Sequence, residues 1–559
     1  MAFRFLGDGE TVTAEWSYKE LDHQARIIGQ CLAREGASGK RVLLLYPAGL
    51  EYISALFGCF YAGAVAVPAY PPRNNHNLER LRSIQEDCEP SLVLTTVAVQ
   101  ERLRLRNGQA QLGAAKVLVH ETLKCEGDWQ RKRDGNALAL LQYTSASTGR
   151  PKGVKITHRN LLHNSAILKK AFCYTSASAC VSWLPGYHDM GLVGGVLQPL
   201  FGGFPCTLLS PVHFLQRPIR WLEAISRFRA TISGGPNFAY DLCVRRQHEE
   251  PLDRLDLSSW SVAFNGSEPV SAATMQRFAE SFSSVGFSWN SFFPCYGLAE
   301  ATLIVSGGPP GCGPMVQEIN TEYLRQKRAF TQDERKRNLV PGSGQISNDM
   351  DVRIVDPAFL TPCHPGEVGE IWIRSESCGD GYWKAAEETK EIFHAHLIDS
   401  GEGPFLRSGD LGLLHQDQLF ITGRIKDLII IRGSNHYPQD IEGTVQRSHP
   451  AFAQRVGAAF GIESADGERL VVVQEIDRHR ESEASEAIAT AREEITKEHG
   501  LETYVVMVVR QGAVPRTTSG KIQRWAAKDA FRSKTLPYIA QSQINGQSSK
   551  ETDYLIKMA

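Results

Sequence analysis

The sequence predicts an α/β fold in which helices cover mostly parallel sheets, followed by an antiparallel region and a compact α+β segment. Three observations predict it: apolar strand-like runs alternate with helical segments, short strands and turns begin near residue 351, and a second alternation begins after residue 424. The length of 559 residues leaves ample material for a large core and for several domains.

The first elements establish the parallel pattern. Residues 41–46 form a continuous apolar run, as expected of a strand buried on both faces. The uncharged segment 52–70 approaches the length of a membrane span, but Gly58, Gly63 and Pro68 interrupt it. We therefore predict a buried helix at 51–62, a strand at 64–68 and no integral membrane contact.

The same alternation continues to about residue 265. Predicted helices lie at 78–88, 159–172, 217–228 and 238–247. Predicted strands lie at 91–95, 116–120, 179–184, 230–233 and 261–265. Together they predict sheets that are covered by helices on their faces.

The pattern of predicted elements then changes twice. Short strands at 351–355, 369–374, 412–415 and 418–422 predict a small antiparallel, barrel-like subdomain within 351–422. Strands at 428–431, 455–460, 470–475 and 503–509, with helices near 438–447 and 483–499, predict an α+β domain. We place an N-terminal domain at 1–424, a C-terminal domain at 425–532 and a loose polar tail at 533–559.

Composition narrows the function classes. A net charge of -1 gives no overall attraction to nucleic acid or to an anionic membrane. The 12 cysteines form no Cys-x-x-Cys pair and no zinc-ligand spacing with histidine. The first residues lack the apolar run of a signal peptide. We expect reduced thiols, a cytoplasmic location and no nucleic-acid partner.

The segment 143–153 reads Tyr-Thr-Ser-Ala-Ser-Thr-Gly-Arg-Pro-Lys-Gly between two strand-like runs. Hydroxyls and backbone N–H groups on such a turn can wrap a polyphosphate, and Lys152 can place a positive charge against it. The segment is not a Walker A motif, because it lacks Gly-Lys-Ser/Thr opening a helix. A plain turn remains the alternative interpretation.

Further polar clusters follow predicted strands, where ligands of α/β proteins bind. His188 lies in Pro-Gly-Tyr-His-Asp-Met-Gly at 185–191, and a hydrogen-bonded turn residue is its alternative. The turn 265–269 suits a ligand contact. Glu300, in Tyr-Gly-Leu-Ala-Glu-Ala-Thr at 296–302, carries a carboxylate that suits Mg²⁺.

Two more clusters lie further along the chain. Asp410 is expected in a turn, where it can accept bonds from ribose hydroxyls or simply form an Asx-turn. Lys521 ends a basic glycine turn at 515–521, whose alternative is a solvated loop.

Together, in this order and spacing, the segments resemble the adenylate-forming superfamily of acyl-CoA synthetases, peptide-synthetase adenylation domains and luciferases, from about Glu15 to Phe531. The resemblance implies ATP and Mg²⁺ as cofactors. It assigns phosphate gripping to Thr144, Ser145, Ser147, Thr148, Gly149 and Lys152. It assigns adenine and ribose contacts to Gly266, Ser267, Glu268, Tyr296, Gly297, Asp410 and Arg424.

The resemblance also implies catalytic roles for Lys521, Glu300 and His188, with Glu300 associated with the metal. Lys426 matches the hinge about which a mobile C-terminal domain rotates.

The sequence departs from the pattern of the superfamily in two places. Ala146 occupies a position where most of the superfamily has glycine, and because alanine disfavours positive φ we expect an allowed backbone there. The strand-like 3–6 stands first, so we expect the customary leading helix to be absent or the start to be trimmed.

Four stretches, at 184–192, 194–200, 233–240 and 432–442, look like the fatty acyl-AMP ligase branch. A long, basic, polar segment at 313–349 resembles the insertion which in that branch restricts the C-terminal domain and disfavours coenzyme A. A solvated surface loop is its alternative. The resemblance implies that a fatty acid is activated and passed to a separate acyl carrier protein, since this chain holds no Asp-Ser-Leu carrier motif.

The expected acyl pocket consists of apolar and small residues, which suit an alkyl chain. They are Trp183, Met190, Ser233, Gly234, Pro236 and Phe238. Two competing functions stay open: a fatty acyl-CoA ligase that tolerates the insertion, and a non-enzymatic adenylate-binding regulator. The presence of Lys521, Glu300 and Asp410 argues against the regulator.

Overall fold

The structure is a computed structural model. It describes residues 1–71, 75–105, 113–125, 134–144, 151–247, 252–320, 337–431, 434–464, 467–517, 520–543 and 554–556. In that part of the chain no helix is long and apolar enough to cross a membrane.

The described strands run, in chain order, as β1 Phe3–Leu6, β2 Val12–Trp16, β3 Arg41–Leu45, β4 Val65–Ala69, β5 Leu92–Thr95, β6 Lys116–Val119, β7 Leu138–Tyr143, β8 Gly153–Thr157, β9 Cys180–Ser182, β10 Cys206–Leu209, β11 Ile232–Gly235, β12 Val262–Asn265, β13 Phe292–Gly297 and β14 Ile304–Gly307. They continue as β15 Val316–Asn320, β16 Arg337–Pro341, β17 Gln345–Ile346, β18 Asp351–Val355, β19 Gly369–Arg374, β20 Leu406–His415, β21 Gln418–Arg424, β22 Ile429–Ile431, β23 Ser434–His436, β24 Gly457–Ser464, β25 Gly467–Glu475, β26 Thr503–Val509, β27 Tyr538–Gln543 and β28 Tyr554–Ile556.

The described helices are α1 Tyr18–Arg34, α2 Leu50–Ala62, α3 Asn75–Cys88, α4 Val97–Leu105, α5 His158–Phe172, α6 Gln198–Gly202, α7 Pro211–Gln216, α8 Ile219–Phe228, α9 Asn237–Arg246, α10 Ala272–Phe282, α11 Ala386–Phe393, α12 Pro438–Ser448, α13 Ala484–His499 and α14 Arg524–Arg532. A π-helical segment covers Met190–Leu197 and leads into α6. The predicted helices and strands are confirmed, with ends that differ by a few residues.

Local sequence signals explain where several helices begin and end. Ser17 and Glu20 form a capping box at the start of α1, each side chain bonding the other's backbone N–H. Thr157 and Asn160 do the same for α5. Gly63, with φ of 66°, ends α2, so the apolar segment that follows turns directly into β4.

The six-stranded sheet has the order β6-β5-β3-β4-β7-β8. Its strands are parallel except for β8, which runs antiparallel to β7. Residues of β3 alternate between two cores: Val42 and Leu44 face one, and Leu43 and Leu45 face the other. This confirms that the apolar run 41–46 is a strand buried on both faces.

The large sheet joins a parallel half to an antiparallel arm. Strands β10, β9, β11, β12 and β13 are parallel neighbours, with β1 and β2 at one edge. On the other side β14 and β17 lead into β21, β20, β19 and β18, all antiparallel. The predicted barrel-like subdomain is thus an antiparallel ladder that continues the large sheet.

The C-terminal sheet has the order β24-β25-β26-β27-β28, and α12, α13 and α14 pack on it. The expectation of a loose tail from residue 533 is wrong for 538–543, because β27 pairs antiparallel with β26. Leu536 and Ala540 are buried there, so apolar contact outweighs the polar composition of the segment.

Candidate active site

One cavity of about 370 Å³ lies where the carboxyl ends of the parallel strands meet the antiparallel arm and the C-terminal region. Its walls bring together most of the predicted polar residues: Thr144, His188, Ser267, Glu268, Tyr296, Gly297, Glu300, Asp410, Arg424 and Lys521. These residues come from seven separate stretches of sequence, so the fold assembles the site from distant parts of the chain.

One corner of the cavity holds an aromatic ring, a carboxylate and a guanidinium. The Tyr296 hydroxyl donates to Asp410 Oδ2 at 2.8 Å, and Arg424 Nε donates to Asp410 Oδ1 at 2.7 Å. Asp410 stands in β20 directly opposite Arg424 in β21, so the expected turn is wrong and cross-strand pairing positions the acid. Asp410 raises the pKa of Arg424, which keeps that guanidinium charged.

Only glycine fits sterically at position 297. A Cβ added at this position would lie 1.8 Å from the carbonyl oxygen of Leu303, which no side chain can tolerate. The close approach allows Tyr296 and Gly297 to bulge against β14. The bulge sets the direction in which the Tyr296 ring faces the cavity.

Glu300 lies just after β13, in a short 3₁₀ turn. Tyr382 donates from its hydroxyl to Glu300 Oε1 at 2.8 Å. Burial raises the pKa of Glu300, and the Tyr382 bond partly opposes that rise. A buried carboxylate of this kind gains by meeting a cation.

Lys152 lies behind the Tyr382 ring and does not line the cavity. Its ammonium is 5.2 Å from the ring centroid and pairs with the Glu388 carboxylate of α11. Thr144 donates its backbone N–H to the Lys152 carbonyl at 3.1 Å, which closes the base of the loop between β7 and β8. The other predicted loop residues, Ser145, Ser147, Thr148 and Gly149, lie outside the described residues.

Lys521 reaches the cavity from the loop before α14. Burial lowers the pKa of Lys521, while the nearby carboxylates of Asp189, Glu268 and Asp410 oppose that change. Burial raises the pKa of Glu268, which accepts backbone hydrogen bonds at the start of α9. The C-terminal region thus places a cation among acidic groups of the parallel half.

His188 and Asp189 form a pair at the entrance to the π-helical segment. His188 Nδ1 lies 2.6 Å from Asp189 Oδ1. Burial alone would raise the pKa of Asp189, but His188 and Lys521 outweigh it and bring that pKa to about 2. Asp189 is therefore a charged group of the site at neutral pH, and the sequence analysis did not single it out.

The remaining wall of the cavity is apolar. It includes Met190, as predicted, together with residues that sequence reasoning missed: Leu168, Phe172, Gly194, Phe264, Leu303 and Ile304. The Phe172 and Phe264 rings stack with centroids 6.0 Å apart. Leu168 and Phe172 are four residues apart on α5, so their helical spacing is the signal that shows a shared face.

The other predicted acyl-pocket residues do not line this cavity. Ser233 Oγ donates to the Val181 carbonyl at 2.6 Å and accepts from Trp221 Nε1 at 2.7 Å, inside the core. A Cβ on Gly234 would meet the Phe264 carbonyl oxygen at 2.1 Å. The residues that do not line the cavity are Trp183, Ser233, Gly234, Pro236 and Phe238.

Trp183 and Phe238 belong to an aromatic cluster on the helix-covered face of the parallel half. Trp183 stacks on Phe214 with centroids 4.1 Å apart, and Phe238 meets it edge-on at 5.8 Å. Large rings here stabilise the packing of α8 and α9 on the sheet. The apolar character of these residues in the sequence did not show whether they are buried in the core or line the cavity.

Two further predicted positions flank the cavity. Gly266 follows β12, and the next residue, Ser267, has φ of +76°, a left-handed conformation that is uncommon outside glycine. Lys426 lies in the short 3₁₀ turn Ile425–Asp427, between the antiparallel arm and the C-terminal sheet. Asp427 in that turn pairs with Arg524 of α14 at 2.9 Å.

Comparison with known proteins bears directly on this arrangement. The model of the AMP-binding enzyme family matches residues 4–383. The chain belongs to the AMP-binding enzyme family. A second model, Disco-interacting protein 2-like, AMP domain, matches residues 426–541 of the enzyme and so extends into β27.

Relatives of known name and structure cover almost the whole enzyme. It is 46% identical over 549 residues to the medium-chain-fatty-acid–[acyl-carrier-protein] ligase JamA of Moorena producens, covering 96% of this chain and 93% of that one. The fatty acyl-adenylate ligase of Legionella pneumophila, solved with acyl adenylate and pyrophosphate, is 38% identical with a TM-score of 0.73, covering 97% and 94% of the two chains.

A third comparison is structurally nearer. A solved structure from studies of fatty acyl-adenylate ligases of E. coli and L. pneumophila has a TM-score of 0.86 and 34% identity, with 95% of each chain covered. These matches confirm the resemblance to the adenylate-forming superfamily and to its fatty acyl-AMP ligase branch.

Proposed function

We propose that the enzyme activates a medium- or long-chain fatty acid with ATP, releases pyrophosphate, and transfers the acyl group to the phosphopantetheine thiol of a separate acyl carrier protein. The observation that carries the proposal is the two-sided cavity. Its polar side holds Tyr296, Asp410 and Lys521, and its other side is the apolar wall around Phe172 and Phe264. Such a site suits a nucleotide beside an alkyl chain.

The comparisons support the same reaction. JamA is named a ligase of medium-chain fatty acids and acyl carrier protein, and the Legionella enzyme was solved with acyl adenylate and pyrophosphate.

The cysteines of the described chain are free thiols, which supports a reducing compartment. We therefore place the reaction in the cytoplasm.

The first step joins the two substrates. A carboxylate oxygen of the fatty acid attacks the α-phosphorus of ATP, and the bond to the β-phosphate oxygen breaks, so that pyrophosphate leaves with the bond electrons. Lys521 donates hydrogen bonds to the phosphate oxygens on which negative charge increases. Asp410 accepts bonds from the ribose hydroxyls, and Tyr296 stacks on the adenine.

The residues present fit a magnesium ion. Mg²⁺ is usually held by one or two carboxylates together with substrate phosphates, and Glu300 supplies a carboxylate in the cavity wall whose Oε1 accepts a hydrogen bond from Tyr382. Such a bound ion neutralises phosphate charge. Glu300 would hold it, and Tyr382 orients Glu300 toward the cavity.

The second step needs a different arrangement. The carrier thiol, as thiolate, attacks the carbonyl carbon of the acyl-adenylate, and the bond to the AMP oxygen breaks. We propose that the C-terminal domain, from residue 425 onward, rotates about Lys426 between the steps and carries Lys521 away. Arg524 binds Asp427 at 2.9 Å and Glu442 at 2.7 Å, so the lysine loop would move with the hinge and α12 as one body.

The segment at 313–349 supports the carrier as acceptor. Its described ends pair as the β15–β16 ladder, and we propose that it restricts the C-terminal domain, as in the ligases that disfavour coenzyme A. The alternative is a fatty acyl-CoA ligase; some relatives carry that name, such as the putative fatty-acid–CoA ligase FadD21 of Mycobacterium tuberculosis.

A mass spectrum tests the first step directly. The purified enzyme is incubated with ATP, Mg²⁺ and an equimolar mixture of fatty acids, without any acceptor. The proposal predicts acyl-adenylates of one preferred range of chain lengths, together with pyrophosphate. If fatty acids cause neither acyl-adenylate formation nor pyrophosphate exchange, the enzymatic proposal fails and an adenylate-binding regulator becomes the better account.

A further inference from the structure

Arg80 is a cavity residue that the sequence analysis did not identify. It lies on α3 and reaches the cavity beside Thr144, where its Nη2 donates to the Thr144 carbonyl at 3.3 Å. Thr144 follows β7 and opens the predicted phosphate loop. The guanidinium therefore lies at the end of the cavity where the six-stranded sheet forms the wall.

The other cations around the cavity each face a carboxylate. Arg424 pairs with Asp410, and Arg524 pairs with Asp427 and Glu442. Lys521 lies near Asp189 and Glu268. Within the part of the chain that the structure describes, Arg80 has no carboxylate partner, and its one hydrogen bond to a neutral carbonyl leaves most of its donors for a ligand.

A desolvated charge without a counter-ion is costly for the fold. Burial lowers the pKa of Arg80, and the opposing influence comes from a tyrosine, Tyr187, and not from an acid. Such an arrangement becomes favourable when an anion enters the cavity and accepts hydrogen bonds from the planar guanidinium. Phosphate oxygens match that fork of donors well.

The helix that carries Arg80 is fixed to the same loop at a second point. The Tyr143 hydroxyl donates to the carboxylate of Asp87, which lies two turns further along α3. Together the Asp87 and Arg80 contacts hold α3 against the last residue of β7 and the first residue of the loop. Arg80 is therefore held in place before any ligand arrives, which limits the entropy that binding must cost.

We propose that Arg80 binds the phosphate groups of the nucleotide that leave as pyrophosphate, which makes it a further substrate-binding residue of the adenylation step. The proposal rests on the proposed function. The triphosphate is favoured over the phosphate of the carrier's phosphopantetheine arm, because Arg80 contacts the start of the phosphate loop. The two sources share one chemistry, and separate half-reactions distinguish them.

The test compares Arg80→Gln and Arg80→Lys with Arg82→Gln. Arg82 lies on the same helix, but it is exposed and pairs with Glu86, so it is a matched control. Fatty-acid-dependent exchange between ATP and pyrophosphate is measured at varied pyrophosphate and ATP. We expect Arg80→Gln to raise the KM for pyrophosphate about tenfold to a hundredfold, with the KM for fatty acid unchanged. Arg80→Lys should give a smaller rise.

A binding measurement separates this role from a structural one. Without ligand, Arg80→Gln should unfold at the same temperature as the wild type or higher, because a partly desolvated charge that has no carboxylate partner among the described residues has been removed. Addition of magnesium pyrophosphate should raise the unfolding temperature of the wild type and of Arg82→Gln more than that of Arg80→Gln.

The outcomes are distinct. Unchanged pyrophosphate and ATP KM values in Arg80→Gln and Arg80→Lys overturn the proposal. A loss confined to acyl transfer from supplied acyl-adenylate to the holo-carrier overturns it in favour of the phosphopantetheine phosphate. If Arg80→Gln does not fold, a wild-type KM in Arg80→Lys still contradicts it. Absence of exchange in the wild type would instead refute the proposed function.

Discussion

The ammonium group of Lys521 lies among acidic side chains from three parts of the chain, and these charges decide how it titrates. Asp189 follows β9, Glu268 follows β12, and Asp410 lies in β20. They raise its pKa, whereas burial and the guanidinium of Arg424 lower it. The balance is a lowered pKa, so the charge that the proposed adenylation requires of Lys521 depends on these carboxylates.

Replacing Lys521 by alanine should separate the two half-reactions. We expect Lys521→Ala to slow acyl-adenylate formation about a hundredfold to a thousandfold, because a charge that stabilises the developing phosphate anion is lost. Transfer from supplied acyl-adenylate to the holo-carrier should stay near the wild-type rate. Lys497→Ala is the control, since Lys497 is exposed on α13. Equal loss of both steps would contradict the role of Lys521.

The pH dependence of adenylation provides a second test at this scale. The proposed role of Lys521 requires its protonated form, so the rate should fall as the pH rises through its lowered pKa. Glu268→Gln removes a charge that raises that pKa, and the fall should therefore begin at lower pH than in the wild type. Glu280→Gln, an exposed change on α10, should leave the profile unchanged. A profile of Glu268→Gln that overlies the wild type would show that Glu268 does not act on Lys521.

At the scale of elements, the π-helical segment and β11 differ in how they lie relative to the cavity, although both were expected to line the acyl pocket. Met190 and Gly194 of the π-helical segment line the cavity, and an added Cβ on Gly194 would meet only Leu303 Cδ2, at 4.0 Å. Ser233 of β11 is bonded on both sides within the core. Stretches from both segments resemble the fatty acyl-AMP ligase branch, and the packing of the sheet shows which one lines the cavity.

This difference predicts two contrasting variants. Gly194→Val should shift the preferred fatty acid to shorter chains, because the added side chain occupies the apolar end of the cavity. Each methylene that no longer fits should lower kcat/KM about fourfold, the equivalent of about 0.8 kcal/mol. The measurement is kcat/KM for a series of fatty acids that differ by two carbons.

Ser233→Ala should have the opposite effect to Gly194→Val: it should change stability and leave the chain-length preference unchanged. It leaves a buried indole N–H and a buried carbonyl without their partner, so we expect it to lower the free energy of unfolding by about 1–3 kcal/mol. Its chain-length profile should match the wild type. A changed profile in Ser233→Ala with an unchanged one in Gly194→Val would restore the acyl pocket predicted from sequence.

At the scale of the whole molecule, the alternation of elements and the polar site residues could be read from the sequence. Tyr296, Glu300 and Lys521 each lie in a short motif, and the order and spacing of these motifs together identified them. The apolar wall and Arg80 depend on α3, α5 and the large sheet meeting in space, which no local pattern encodes. The strand at 538–543 was missed because its polar residues are held by pairing with β26.

The choice of acceptor also belongs to the scale of the whole molecule, since in the proposed mechanism it depends on how the C-terminal domain moves. The most direct measurement loads the enzyme with a labelled twelve-carbon acyl-adenylate and offers coenzyme A or a holo-acyl carrier protein in parallel reactions. The account predicts rapid transfer to the carrier thiol, while the acyl-adenylate persists with coenzyme A. Rapid stoichiometric release of acyl-CoA would contradict it.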